Sequence, residues 1–256
     1  MTRHANVTLV VFGPTPAELT MSRAQLGDVD AKAIEACDVR MIRRVADPGW
    51  FDAWRSGSLR AIATKDLGDT SLLDAAEQLH VVSTDVDDPA GHGYLEAAWA
   101  LARYLVARGA TTVLDVHAMV FTAGAGLPAA DAPLDVAREV RVVYETDSTR
   151  PDQAHAIHTR GMKKFGAPDL VALCSDADVP LISAAISELA ETVARGAELG
   201  TPRHRVEVMP GVHWVVVPDE HGLGALLQLN NAARVIVDSD GHDLVGVAAR
   251  LRRAPS

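Results

Sequence analysis

The sequence predicts an α+β fold: a ferredoxin-like β-α-β-β-α-β arrangement, with a duplicated flavour, whose antiparallel sheet carries its helices on one face. Three observations predict it. Runs of period-two alternation are interleaved with Ala- and Leu-rich runs of helical period. Between residues 80 and 174 these runs read strand, helix, strand, strand, helix, strand. A similar order restarts at Asp169 and continues to Val247.

In chain order, Asn6–Phe12 is a strand candidate, closed by Gly13-Pro14-Thr15-Pro16. A strand at Asp38–Val45 follows, then the turn Asp47-Pro48-Gly49, a short helix Trp50–Arg55 and a strand at Leu59–Thr64. Trp50 and Trp54 lie four apart and share a helix face, which suits a core anchor. His80–Val86 alternates as a strand, Pro89 and Gly91 punctuate a turn, and Tyr94–Arg108 is helical up to Gly109. Thr111–Phe121 reads as one long strand, Thr122–Pro133 as a loop and Val136–Thr146 as a strand. Ser148-Thr149-Arg150-Pro151 has the hydroxyl and early proline of a helix start. The helix it begins runs through Lys164 and is stopped by Gly166 and Pro168, before a strand at Asp169–Cys174. The remainder reads as a helix at Pro180–Glu198, strands Arg205–Met209 and Val212–Val217 around Pro210-Gly211, a helix at His221–Asn230 and strands Ala233–Asp238 and Leu244–Val247.

Two echoes link the halves. Ala107-Arg-Gly-Ala110 and Ala194-Arg-Gly-Ala197 both end a long helix, and Val116–Phe121 and Val212–Val217 both follow as strands. The predicted organisation is an N-terminal α/β segment, 1–79, packed on a main α+β body, 80–256, with ferredoxin-like order over 80–174 and a similar pattern over 169–247.

Composition narrows the function classes. A 256-residue chain buries roughly 70–75% of its unfolded surface and needs no staple. Residues are 48% hydrophobic but only 4% aromatic, so Ala, Val and Leu fill the interior. The net charge of −10 argues against nucleic acid and anionic membranes, where Lys and Arg must neutralise phosphates. Cys37 and Cys174, 137 positions apart, form no disulfide framework and no CxxC motif. Without a signal h-region or a long apolar run, a cytoplasmic protein is expected.

The segment His155–Gly166 concentrates chemistry. It holds His155, His158, Arg160 and two of the chain's four lysines, Lys163 and Lys164. On a helix, Ala154, Ile157, His158, Gly161, Met162 and Phe165 share one face, which turns His158 inward and lets Gly161 approach the sheet closely. Arg160, Lys163 and Lys164 are left exposed at the helix end, where they are expected to bind a small anion, or simply to answer the helix dipole.

A second candidate is the open sheet face. Along Val113–Phe121, Asp115 and His117 alternate onto one side, Glu139, Arg141 and Glu145 do so on the next strand, and Ser83 and Asp85 join from His80–Val86. Asp115, His117 and Glu145 are the candidate catalytic residues, able together to hold a divalent metal or to act as acid and base. The competing reading is a wet or partner-covered face with Arg141 paired across strands. Asp238–Asp243 resembles a calcium loop, but Ala249 stands where a bidentate Glu is needed, so a turn with Asp-Gly at its tip is expected. No dinucleotide fingerprint, P-loop, G-x-S-x-G or H-E-x-x-H occurs, so no cofactor and no resident metal is named.

The run His158-Thr-Arg-Gly-Met-Lys-Lys-Phe-Gly-Ala-Pro-Asp-Leu170, with Leu229-Asn230-Asn231 and the strand ending Val113-Leu-Asp115, resembles a bacterial family defined only as a domain of unknown function. The resemblance covers roughly residues 80–240. It implies a cytoplasmic bacterial protein and carries no activity. The leading expectation is therefore a non-enzymatic module that binds a small anion or a protein, with a regulatory or toxin-neutralising interaction protein as one form and a homodimer through sheet faces or edges in prospect. The alternative is a metal-assisted hydrolase on the open sheet face.

Overall fold

The computed structural model describes residues 3–14, 22–89, 91–146 and 154–253. The chain divides into two compact units, 1–134 and 135–256. Unit 1 contains β1 (His4–Gly13), α1 (Ala31–Glu35), β2 (Cys37–Arg43), α2 (Pro48–Ala53), α3 (Gly57–Leu67), α4 (Ser71–Asp74), β3 (Gln78–Asp87), α5 (Gly93–Ala107), β4 (Thr112–Asp115) and β5 (Val120–Ala123). Unit 2 contains α6 (Val136–Glu139), β6 (Arg141–Glu145), β7 (His155–Arg160), β8 (Asp169–Cys174), α7 (Val179–Ala194), β9 (His204–Met209), β10 (Val212–Pro218), α8 (Leu223–Leu226), β11 (Ala233–Asp238) and α9 (Val247–Arg253).

The unit 1 sheet is antiparallel throughout, in the order β2-β3-β1-β4-β5. Its centre follows from the alternation of β1. Ala5, Val7, Leu9 and Val11 are fully buried on one face, the side taken by α5, which packs across β1 and β3. On the other face Val10 and Phe12 join Leu79, Leu114 and Phe121 beneath Phe51, Ala63 and Leu73 of α2, α3 and α4. Helices thus cover both faces rather than one. Among the described residues the cover from α2, α3 and α4 stops short of one end: His4, Asn6 and Thr8, on the same side as Phe12, face Asp87, Asp85 and Ser83 across the ladder.

The boundary predicted at 79/80 falls inside β3, which pairs with β1 over ten positions and with β2 over seven. Cutting there would remove the strand that joins the N-terminal elements, so the division lies at 134/135 instead. The stretch read as a strand at Leu59–Thr64 is helical because Leu59, Ile62, Ala63 and Leu67 recur at helical spacing and pack on the core. The long strand read over Thr111–Phe121 is a hairpin: residues 116–119 turn, with Met119 at φ +54, and β5 returns beside β4.

The unit 2 sheet is mixed, in the order β6-β7-β8-β11-β10-β9, with β8 and β11 its parallel pair. Helix α7 packs against β6, β7 and β8. The proposed helix start at Ser148–Pro151 lies outside the described residues, as do Thr15 and Pro16 of the first predicted turn. The body of that predicted helix is β7, the second strand of the sheet. Flanked by β6 and β8, it is buried on both faces, so its polarity pattern carries no period of two. The ferredoxin-like frame over 80–174 is consequently split between two sheets.

Three smaller readings also change. Val136–Glu139 is a helical turn capped by Asp135, so the strand starts only at Arg141. The helix read over His221–Asn230 contracts to Leu223–Leu226. Leu244–Val247 forms no strand, and α9 begins at Val247.

The echoed Ala-Arg-Gly-Ala tetrapeptides have a local cause. After α5, the Gly109 N–H bonds Val106 O and the Ala110 N–H bonds Leu105 O. After α7, Gly196 bonds Val193 O and Ala197 bonds Thr192 O. Both are Schellman caps, with glycine at φ +101 and +112, where a side chain would be strained. Among the described residues no helix is long and apolar enough to cross a membrane.

Candidate functional site

In unit 1 the uncovered half of the sheet carries a line of polar side chains. Asn6 sits at its centre: its Nδ2 donates to Asp85 Oδ1 at 2.6 Å, and its Oδ1 accepts from Thr8 Oγ1 at 3.1 Å and lies in hydrogen-bond contact with His117 Nε2. Beyond Asp85, His4 bridges two carboxylates, with Nε2 3.2 Å from Asp85 and Nδ1 2.8 Å from Asp87. Its hydrogen bond to Asp87, together with the charge of Asp85, holds the His4 pKa above the ordinary histidine value. His4, Asp85 and Asp87 are exposed, Asn6 and Thr8 half-buried and His117 buried.

Asp115 serves a different purpose. It is buried on the α5 face, and its Oδ1 accepts the backbone N–H groups of His117 and Ala118, both at 3.0 Å. It therefore shapes the turn that swings His117 over to Asn6. Of the predicted open-face set, the structure joins His117 and Asp85 through Asn6, turns Asp115 inward and places Glu145 in the other unit. Neither unit assembles the Asp115, His117 and Glu145 set by itself. His4, Asn6, Thr8 and Asp87 are additions that sequence reasoning missed. The signal was present in His4-Ala-Asn-Val-Thr-Leu9, a strict polar/apolar alternation preceding three more apolar residues, Val10, Val11 and Phe12.

In unit 2 the basic segment is not an exposed helix end. Gly161, at φ +115, closes β7, and a Cβ there would collide with the Glu139 carbonyl. The close approach expected of Gly161 is thus real, but it is made to α6. Lys164 is fully buried, and its Nζ lies 2.6 Å from Glu139 Oε2, itself buried. Arg160 turns its guanidinium onto the carbonyls of Leu227 (3.0 Å) and Gln228 (3.4 Å) and lies 3.8 Å from Glu145. Lys163 is half-buried. Of the expected exposed cations, Arg160 and Lys164 are instead paired internally and Lys163 is half-buried, because the segment lies inside the sheet and the turn after it.

His158 is fully buried, as its inward reading required, although on a strand. Its Nε2 lies 3.0 Å from Glu145 and its Nδ1 3.2 Å from the Thr159 carbonyl. Nearby Asp169 accepts from Thr159 Oγ1 (2.9 Å), Asn231 Nδ2 (3.1 Å) and the Met162 N–H (3.3 Å). Burial nevertheless pushes its carboxyl above the usual range. These contacts tie β7, β8 and the turns around them together, and they engage the groups that a bound anion would need.

Two other features lie in unit 2. A cleft of about 490 Å³ between α6, β6 and α7 has Val136, Val140, Val142 and Ala190 on its walls and Glu188 and Glu191 at its rim; none of the predicted site residues lines it. At the end of β11, Asp238 Oδ1 accepts the N–H groups of Asp240 (3.0 Å) and His242 (2.9 Å), which makes the expected tight turn, though no strand follows it. The side chains of Asp238, Asp240 and His242 lie within 4.8 Å of one another, with Arg250 3.7 Å from Asp238. Comparison with known proteins returned no matching family description, curated protein or solved structure.

Proposed function

We propose that this chain is a non-enzymatic binding module, cytoplasmic, whose partner is a protein segment bearing lysine or arginine. Its docking face is the uncovered half of the unit 1 sheet. The observation that carries this reading is the line His117–Asn6–Asp85–His4–Asp87, which presents two exposed carboxylates on a rigid strand pair. Strands hold these groups at fixed ladder spacing, so a cation that takes the place of the His4 ring between Asp85 and Asp87 meets carboxylates already in position. The net charge of −10 adds a long-range field that draws cationic partners in. The internal pairing of Lys164 and Arg160 supports a cationic partner over the small anion expected of that segment.

The pH dependence has a defined sign. When His4 is protonated it offsets the two aspartates, so cation binding strengthens as pH rises through the raised His4 pKa. Calorimetric titration with a lysine-rich peptide tests the reading. The expected result is binding that weakens with salt and disappears in the Asp85→Asn/Asp87→Asn variant. Equal binding by the variant and the native chain would overturn it.

A further inference from the structure

We propose that β9 (His204–Met209), an outer strand of the unit 2 sheet, is a self-pairing edge. On it a second copy of this chain docks antiparallel, with Val206 opposite Val206. Among the described residues the strand pairs on one side only, with β10, and its six residues contain no proline and no glycine. Its ladder to β10 is regular from His204 to Glu207 and shifts register at Val208, so the segment that presents an even row of backbone donors and acceptors to a second chain is His204–Glu207.

The side chains select which chain that is. Arg205 and Glu207 flank Val206, and both are exposed. A two-fold axis through Val206 sets Arg205 of each copy opposite Glu207 of the other, giving two cross-strand ion pairs. Neither Arg205 nor Glu207 is in an ion pair among the described residues; Glu207 Oε1 accepts only the Gly211 N–H at 2.9 Å. The pattern is self-complementary in charge, which is what an isologous, closing interface requires. The inner face of β9 is also incompletely covered. Val206 and Val208 line a cleft of about 310 Å³ beside Leu189 and Thr192 of α7, and pairing would extend that apolar floor across the axis.

The other sheet edges are committed differently. On β6, Glu145 is held by His158 and Arg160, and Tyr144 by Asp176. On β2, Asp38 and Arg40 are paired with each other at 2.6 Å. Strand β5 is only four residues long.

Sedimentation across a protein concentration series tests the proposal, with circular dichroism reporting the fold of each variant. The native chain is expected to dimerise. Arg205→Glu, which sets like charges opposite each other twice, is expected to weaken the dimer about tenfold or more. The double exchange Arg205→Glu/Glu207→Arg makes the strand self-complementary again and is expected to restore it. A native chain that stays monomeric would overturn the proposal. So would a single reversal without effect, or a double exchange that fails to recover the dimer.

Discussion

The two units place their most prominent charge differently, although unit 1 too encloses Arg55 and Asp115, each held by hydrogen bonds. Unit 1 keeps Asp85, Asp87 and His4 on an open sheet half, while its core faces are lined by Val, Leu and Phe. Unit 2 buries the Lys164–Glu139 pair and Asp169 among Thr159, Asn231 and Met162, and sets buried His158 against an exposed Glu145. In water, exposed charges cost little to keep and contribute little to stability. Buried ones must be matched, and removing one partner strands the other. Unit 2 therefore uses charge to hold its own turns in place. Unit 1 leaves the charge of Asp85 and Asp87 exposed at its surface.

That contrast can be broken first at Lys164. Lys164→Met strands Glu139 inside unit 2 and is expected to cost about 3–5 kcal/mol in denaturant unfolding. The double replacement Lys164→Met/Glu139→Leu should recover most of the loss. A single variant as stable as the native chain would show that the pair does not hold the turn.

A middle-sized effect is expected at Asp178. Its carboxylate accepts the N–H groups of Gly246 (2.6 Å) and Ala248 (2.8 Å) at the start of α9 and is in contact with the Ser175 hydroxyl. Burial opposes ionisation there, but these hydrogen bonds outweigh it and hold the pKa below the ordinary carboxylate value. A lowered folded-state pKa means the stabilisation is present above the unfolded-state value and is lost as pH falls through the folded one. Asp178→Ala is expected to cost about 1–2 kcal/mol at neutral pH. The gap between variant and native chain should close in acid, as thermal melts at a series of pH values would reveal.

The smallest effect sharpens the comparison from the other side. Asp85→Asn/Asp87→Asn removes charge from an exposed ladder and is expected to change unfolding free energy by less than about 0.5 kcal/mol. A larger loss would mean that unit 1, too, relies on its surface charge for folding.

How far the sequence announced this arrangement depends on where each segment sits. The strands β1, β3 and β8 and the helices α5 and α7 were legible because one-sided burial, helical period or a run of apolar residues marks them. The segment His155–Lys164 was not, because a strand buried on both faces loses its alternation, and its spacing then fits a helix equally well. The basic cluster misled for a related reason. Lys164 finds its carboxylate 25 residues earlier, at Glu139, and no local pattern announces such a pairing. Asp115 and His117 read as neighbours on one face of a single strand, but a turn sends them to opposite faces, and it follows from the Asp115 side chain capping backbone N–H groups. Glu145 lay beyond reach because alternation says which face a residue takes and nothing about which sheet.

The parallel pairing of β8 with β11 bears on how the chain is made. β8 is complete at Cys174, whereas the strand that covers its second side begins only at Ala233. During synthesis the interval between them corresponds to several seconds at about 5–20 residues per second. Throughout that time the middle of the unit 2 sheet lacks a neighbour, while every strand of unit 1 has already left the ribosome's active site. The first half of the molecule can thus settle while the second still waits, and nascent chains stalled before β11 are those most in need of chaperone cover.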